Sequence, residues 1–136
     1  MIFHTIRFSI RLGVTPEQVE EALASLRRQG AGIAAVKSYV VGPHVGEGFD
    51  YGATFVIEDL AGYEEYMLSP LHRHTDEIGL PLVDDMVSFD ILDDPDPEAG
   101  AKITRIHQDR FANDPGLTEL IQNLGSYSAG THSHQG

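Results

Sequence analysis

Histidine and tyrosine carry what chemistry this 136-residue sequence offers, and four of them, His4, Tyr51, Tyr66 and His72, fall where a pocket can use them. Imidazole titrates near neutral pH, so it suits removal of a proton beside a carbonyl. A tyrosine hydroxyl within reach can orient that imidazole or stabilise a developing enolate. Tyr66 and His72 flank the break Ser69-Pro70, so the chain can turn one toward the other. His4 sits on an otherwise apolar strand face, where a polar ring needs a partner or a pocket. Tyr51 lies on the apolar face of another strand. Met67 and Phe89 are the apolar side chains expected against a bound molecule. On residue types alone, plainer readings stand ahead for Tyr66 as a core aromatic and His72 as a cap or surface residue; His4 as a satisfied core histidine stands nearly level with a pocket role, and Tyr51 can simply fill the interior.

Other chemistries find less support. The chain has no cysteine, which removes disulfides, thiol catalysis and thiolate metal sites together. His72 and His74 are two apart in an expected helix and point different ways. His44 has no companions in its loop, and His132 and His134 fall in an expected disordered tail. No histidine is singled out as an axial haem ligand. No metal and no cofactor are therefore expected. Ser69 lacks the Gly-x-Ser-x-Gly elbow of a nucleophile. Residues Gly42 to Gly48 lack the Gly-Lys-Ser/Thr ending of a phosphate loop.

Net charge is −12, from 21 acids and 9 bases. Nucleic-acid binding needs a basic footprint, and Arg27-Arg28 is an isolated pair. No stretch approaches the roughly 18 apolar residues of a membrane span. The opening Met1-Ile-Phe-His-Thr-Ile-Arg-Phe8 lacks a signal peptide's basic start and unbroken apolar core. Neither nucleic acid nor membrane is an expected partner, and a cytoplasmic location is expected.

The elements that must hold these residues are legible in the pattern. Ile2, His4, Ile6, Phe8 and Ile10 alternate with polar positions, so they form one face of a strand. Thr15-Pro16-Glu17-Gln18 starts a helix with a capping box; Val19, Ala22, Leu23 and Leu26 are its apolar stripe, and Gly30 or Gly32 ends it. A second strand is predicted over Val36–Val41. A third carries Tyr51, Ala53, Phe55 and Ile57 on one face. Asp59 caps a second helix with Leu60, Tyr63, Tyr66 and Met67 at helical spacing. Ser69-Pro70 interrupts it, which puts His72 in the first turn of the next piece. A fourth strand is predicted over Met86–Leu92, with Val87, Phe89 and Ile91 on one face. The order β-α-β-β-α-β predicts a ferredoxin-like α+β fold, a four-stranded antiparallel sheet with both helices on one face. Residues 1–92 are then the domain. Residues 93–125 form an extension behind the linker Asp93-Asp94-Pro95-Asp96-Pro97, with short elements expected at Ile103–Phe111 and Leu117–Leu124. It is expected to wrap a partner subunit or cover a pocket mouth. Residues 126–136 are expected to be disordered.

The opening Ile-Phe-His-Thr-Ile-Arg-Phe, the strand start Phe49-Asp-Tyr-Gly52, the segment Tyr66-Met-Leu-Ser-Pro-Leu-His72 and the closing Met86-Val-Ser-Phe-Asp-Ile resemble the stress-responsive dimeric A/B barrel family. The resemblance spans residues 2–92. It implies a homodimer in which two sheets close into one barrel, with an apolar cavity in each protomer for a small aromatic ligand. The family includes a cofactor-free plant polyketide cyclase and a hydroxynitrile lyase. In the cyclase, the tyrosine and histidine of the Tyr-x-x-x-Pro-x-His element form an acid–base pair, which implies that role for Tyr66 and His72. His4 matches a cavity histidine of the first strand. Tyr51 stands where a further cavity histidine is found, a departure that bears on the substrate. The function implied is a cofactor-independent cyclase, aldolase or lyase acting on a phenolic or polyketide-like carbonyl compound. A cofactor-free monooxygenase is a close variant, and a non-catalytic stress-associated ligand-binding dimer is the alternative from another class.

Overall fold

A computed structural model describes residues 1–129 of the chain. The strand β1 (Ile2–Ile10) lies at the centre of the sheet, between β3 (Tyr51–Ile57) and β4 (Val83–Leu92), antiparallel to both. The strand β2 (Val36–Pro43) is the outer neighbour of β3. These four strands are the predicted ferredoxin-like core. Their alternation works as expected on β1 and β3: Ile2, His4, Phe8, Ala53, Phe55 and Ile57 are all buried under the helices.

On β4 Val87, Phe89 and Ile91 share a face as predicted, but it is the face away from the helices, so Phe89 is not at the cavity as expected. Register sets His4 opposite Asp90, Ile6 opposite Ser88 and Phe8 opposite Met86. Directly paired residues share a face, so Ser88 and Asp90 turn inward. Val87, Phe89 and Ile91 consequently point to the opposite face, where the Arg7 guanidinium lies 4.9 Å from the Phe89 ring centre. The three apolar residues misled because a polar inward row is admitted only where a site or a partner satisfies it.

Helix α1 (Pro16–Gly32) starts at the predicted capping box, with Thr15 Oγ1 accepting from the Gln18 N–H at 3.2 Å and Gln18 Oε1 accepting from the Thr15 N–H at 2.9 Å. It buries Ala22, Leu23 and Leu26, and also Ser25 and Gln29. Helix α2 (Leu60–Leu68) is capped by Asp59. At Ser69-Pro70 the backbone leaves the helix, and the Ser69 side chain caps α3 (Pro70–Gly79). A turn at Leu80–Leu82 leads into β4.

The extension is more ordered than its composition implies. Helix α4 (Ala99–Ala112) packs on α2, and α5 (Pro115–Gln122) packs on α4 and α3. Ile103 and Leu117 are fully buried, so a few apolar residues suffice to dock both helices. Pro115 at the first helical position and Asp114 as N-cap are the start signals of α5. Residues expected in a disordered tail instead form β5 (Ser126–Ala129), parallel to β4, and extend the sheet to five strands in the order β2-β3-β1-β4-β5. The rest of that tail, with His132 and His134, lies outside the described residues. Among the described residues, no helix is long and apolar enough to cross a membrane.

Candidate functional site

Between the helices and the sheet lies a cavity of about 80 Å³. One water needs roughly 10–15 Å³ of such space, so the cavity takes several waters or a small organic molecule. His4, Tyr66, Met67 and His72 line it. Four residues drawn from β1, α2 and α3 thus meet at one place. Of the six sequence-predicted site residues, the other two stand apart. Tyr51 faces the same side of the sheet but packs beside Phe8, with ring centres 6.0 Å apart and outside the cavity wall. Phe89 lies on the far face of the sheet.

His4 is one end of a buried chain of polar contacts. Its Nδ1 lies 2.8 Å from Asp90 Oδ1, directly across the β1–β4 ladder. Burial alone would raise the Asp90 carboxyl; the His4 charge and the hydrogen bonds from His4 and Tyr63 outweigh it and hold Asp90 below the usual range. An anionic Asp90 accepts, so His4 Nδ1 donates. In the neutral ring that leaves Nε2 as the basic atom. The Tyr63 hydroxyl donates to Asp90 Oδ2 at 2.9 Å and stands 2.8 Å from His107 Nε2. Its single proton is committed to Asp90, so His107 Nε2 donates to the Tyr63 oxygen. Burial, then the Asp90 charge, pushes the Tyr63 phenol far up, and it stays protonated.

His72 and Tyr66 sit face to face, with ring centres 4.6 Å apart and planes 30° apart. The same Tyr66 ring meets His4 edge-on at 5.5 Å. The Tyr66 hydroxyl donates to Gln29 Oε1 at 2.7 Å. Burial, then the Asp76 charge, raises this phenol well above its ordinary value, so Tyr66 holds its proton. His72 moves the other way. Burial first, then the Arg110 charge and His4, lower its pKa well below the ordinary imidazole value. His72 Nδ1 is buried without a well-formed hydrogen bond, and only the Met67 carbonyl pulls against the shift. His72 Nε2 lies 3.9 Å from Asp76 Oδ2, and that same oxygen is bound by the Arg110 guanidinium.

Asp90, Tyr63, His107, Asp76, Arg110 and Gln29 were not singled out from the sequence. Some left a signal. Asp90 is an acid inside a strand, two residues from Ser88. Asp76 follows His72 by one helical turn, and His107 precedes Arg110 by three residues on one helix face. The extension was expected to wrap a partner or cover a pocket mouth; what no spacing revealed is which of its residues, His107 and Arg110 among them, line this cavity. Among the described residues, no three His, Asp or Glu side chains converge as metal ligands would.

The profile of the stress responsive A/B barrel domain matches residues 2–93. No curated protein matches the chain. Among solved structures, a dimeric ferredoxin-like protein of unknown function from Thermobifida fusca is 28% identical, with a TM-score of 0.61 over 66% of this chain and 88% of that one. The hydroxynitrile lyase of Passiflora edulis is 13% identical, with a TM-score of 0.62 over 69% of this chain and 94% of its own. The cofactor-independent oxygenase SnoaB of Streptomyces nogalater is 14% identical, with a TM-score of 0.56 over 71% and 97%. The last two likenesses are of fold alone. The sheet order, the paired helices and the profile match over residues 2–93 agree, and this chain belongs to the stress responsive A/B barrel domain family.

Proposed function

We propose that the chain is a cofactor-independent acid–base enzyme acting on a small aromatic, phenolic or polyketide-like carbonyl compound. Cyclase, aldolase and lyase reactions all belong to this class. The observation that carries the reading is the convergence of His4 and His72 on one cavity, with the Tyr66 ring between them. His72 is neutral at physiological pH and offers a lone pair for proton abstraction. His4 Nε2, when the ring is cationic with Asp90 as its counter-ion, returns a proton or donates to the developing oxyanion. Tyr66 keeps its hydrogen and orients the His72 ring through stacking. Met67 supplies apolar wall. A hydroxynitrile lyase and a cofactor-independent oxygenase of the same fold lend support, the second to the monooxygenase variant.

The unit is proposed to be a homodimer in the cytoplasm. Support comes from the dimeric Thermobifida protein and from apolar side chains on the sheet face away from the helices. Phe3, Val40 and Ile91 are 36%, 64% and 61% exposed there.

The test is turnover by purified protein on cyanohydrins, on aromatic aldol adducts and on phenols with oxygen. On any compound turned over, His72→Ala is expected to lose at least about 100-fold in kcat, in keeping with general acid–base catalysis, and Tyr66→Phe to lose less. Full activity in both variants defeats the assignment.

One feature favours a non-catalytic binding protein. The Tyr66 hydroxyl is already spent on Gln29 and the Arg110 guanidinium on Asp76, which leaves His4, His72 and the Gln29 amide nitrogen to meet a ligand. That reading predicts that ligands bind the cavity and leave unchanged.

A further inference from the structure

Arg110 belongs to the extension, outside residues 2–93 that the family profile matches, yet it lines the cavity. Its guanidinium is bound to the Asp76 carboxylate, and the two side chains are 10% and 13% exposed. Asp76 is one turn after His72 on α3, with Oδ2 3.9 Å from His72 Nε2. An imidazolium and a carboxylate at that position on a helix attract one another. Left alone, Asp76 would draw a proton onto His72 and hold it there. Arg110 occupies the very oxygen that would do so.

We propose that Arg110 is a positioning residue: by engaging Asp76 it denies His72 an ion-pair partner and keeps His72 Nε2 open to the cavity as a base. The inference rests on the reading of His72 as a proton acceptor. It deepens that reading by assigning the extension a working part in the site.

The groups facing His72 fit the assignment. From its own helix there is Asp76. From α4 come Arg110 and His107; from β1, His4; from α2, the Tyr66 ring. Arg110, His4 and His107 all push His72 toward its neutral form. Tyr127 of β5 also lines the cavity, and burial, then Asp76, pushes its hydroxyl up to about 12, so it adds no charge. Among the described residues lining the cavity, Asp76 is the only acid. Burial raises its own carboxyl, and Arg110 opposes that rise. The Asp76 carboxyl is raised on balance, and the one guanidinium opposes protonation of this carboxylate and of the neighbouring imidazole alike.

The experiment is a pH titration of the full chain by long-range ¹⁵N–¹H correlation, which reads the charge and tautomer of each imidazole and needs no substrate. In Arg110→Gln, His72 is expected to take up its proton at a higher pH than in the wild type. Arg110→Lys, which restores a cation, is expected to bring the titration back. Asp76→Asn keeps Arg110 but removes the competing acceptor, and His72 is expected to stay neutral at least as far down in pH as in the wild type. An unchanged titration in Arg110→Gln, no return in Arg110→Lys, or easier protonation in Asp76→Asn overturns the inference. Should Arg110→Gln fail to fold, judged by circular dichroism, the Asp76→Asn titration decides it. Loss of the enzymatic reading is a separate result, seen as His72→Ala with undiminished turnover.

Discussion

An imidazole buried beside a guanidinium gives up its proton more readily than one in water, and His72 is so placed. The consequence reaches beyond the cavity to the stability of the fold. The folded pKa of His72 lies below the unfolded value of about 6.5. Above both values the ring is neutral in either state, and the contribution to stability is complete. As pH falls through the unfolded value, the unfolded chain takes a proton that the folded one refuses. Stability then drops, by at most about 1.4 kcal/mol per pH unit for this one group. The variant His72→Phe keeps ring volume and removes the titration. Urea unfolding at pH 7.5 and 5.5 is expected to show a smaller loss on acidification in His72→Phe than in the wild type, and equal losses would refute the argument. Asp90 acts in a different window. Its folded pKa is lowered, so its contribution is present above about 4 and is lost only as pH falls further. At this scale much of the site was legible. A histidine on an apolar strand face and a Tyr-x-x-x-Pro-x-His run each announce themselves by type and spacing. Asp90 and Asp76 left only weaker signals of place and spacing, because a buried acid is recognised by its partners, and the partners of Asp90 come from β1 and α2.

Elements place these residues by close approach, and α1 shows how tight that is. Gly30 meets the Tyr39 ring so closely that an added Cβ would lie 2.2 Å from Tyr39 Cγ. Tyr39 in turn stacks on Phe55, with ring centres 6.4 Å apart. Alanine is the better helix former by about 1 kcal/mol, so an exposed Gly30 would gain from the change. Here the clash is with the root of a ring, which cannot swing clear without leaving Phe55. Overpacking of this kind costs about 1–3 kcal/mol. Gly30→Ala is therefore expected to lower stability by up to about 2 kcal/mol net, read as a lower urea midpoint; a rise would show that Tyr39 moves aside freely. From the sequence, Gly30 reads only as a helix stop. The break at Ser69-Pro70 was legible because proline acts on its own neighbour. Of the extension, short elements at Ile103–Phe111 and Leu117–Leu124 were legible; their docking and β5 were not, since these are held by contacts with α2, α3 and β4 rather than by their own periodicity.

The whole molecule has two surfaces with different duties. The helix side carries the cavity, and α4 and α5 close over it from the same chain. The other side of the sheet is left open. Across it, Val40, Thr54, Thr5 and Phe89 lie in one row from β2 to β4, bordered by Phe3 and Ile91. β5 already covers the outer edge of β4, so that edge is not available for strand pairing. An apolar face of this kind calls for a cover, and in the proposed homodimer a second copy supplies it. The two sides then make separable predictions. Val40→Lys combined with Ile91→Lys places charges on the open face and leaves the cavity alone. Light scattering after size exclusion is expected to give twice the chain mass for the wild type and the single mass for this double variant. Truncation after Asp94 removes α4, α5 and β5 but no residue of that central row, so the shortened chain is expected to remain a dimer with a lower Tm. A monomeric wild type, or a double variant that stays dimeric, would place the interface elsewhere.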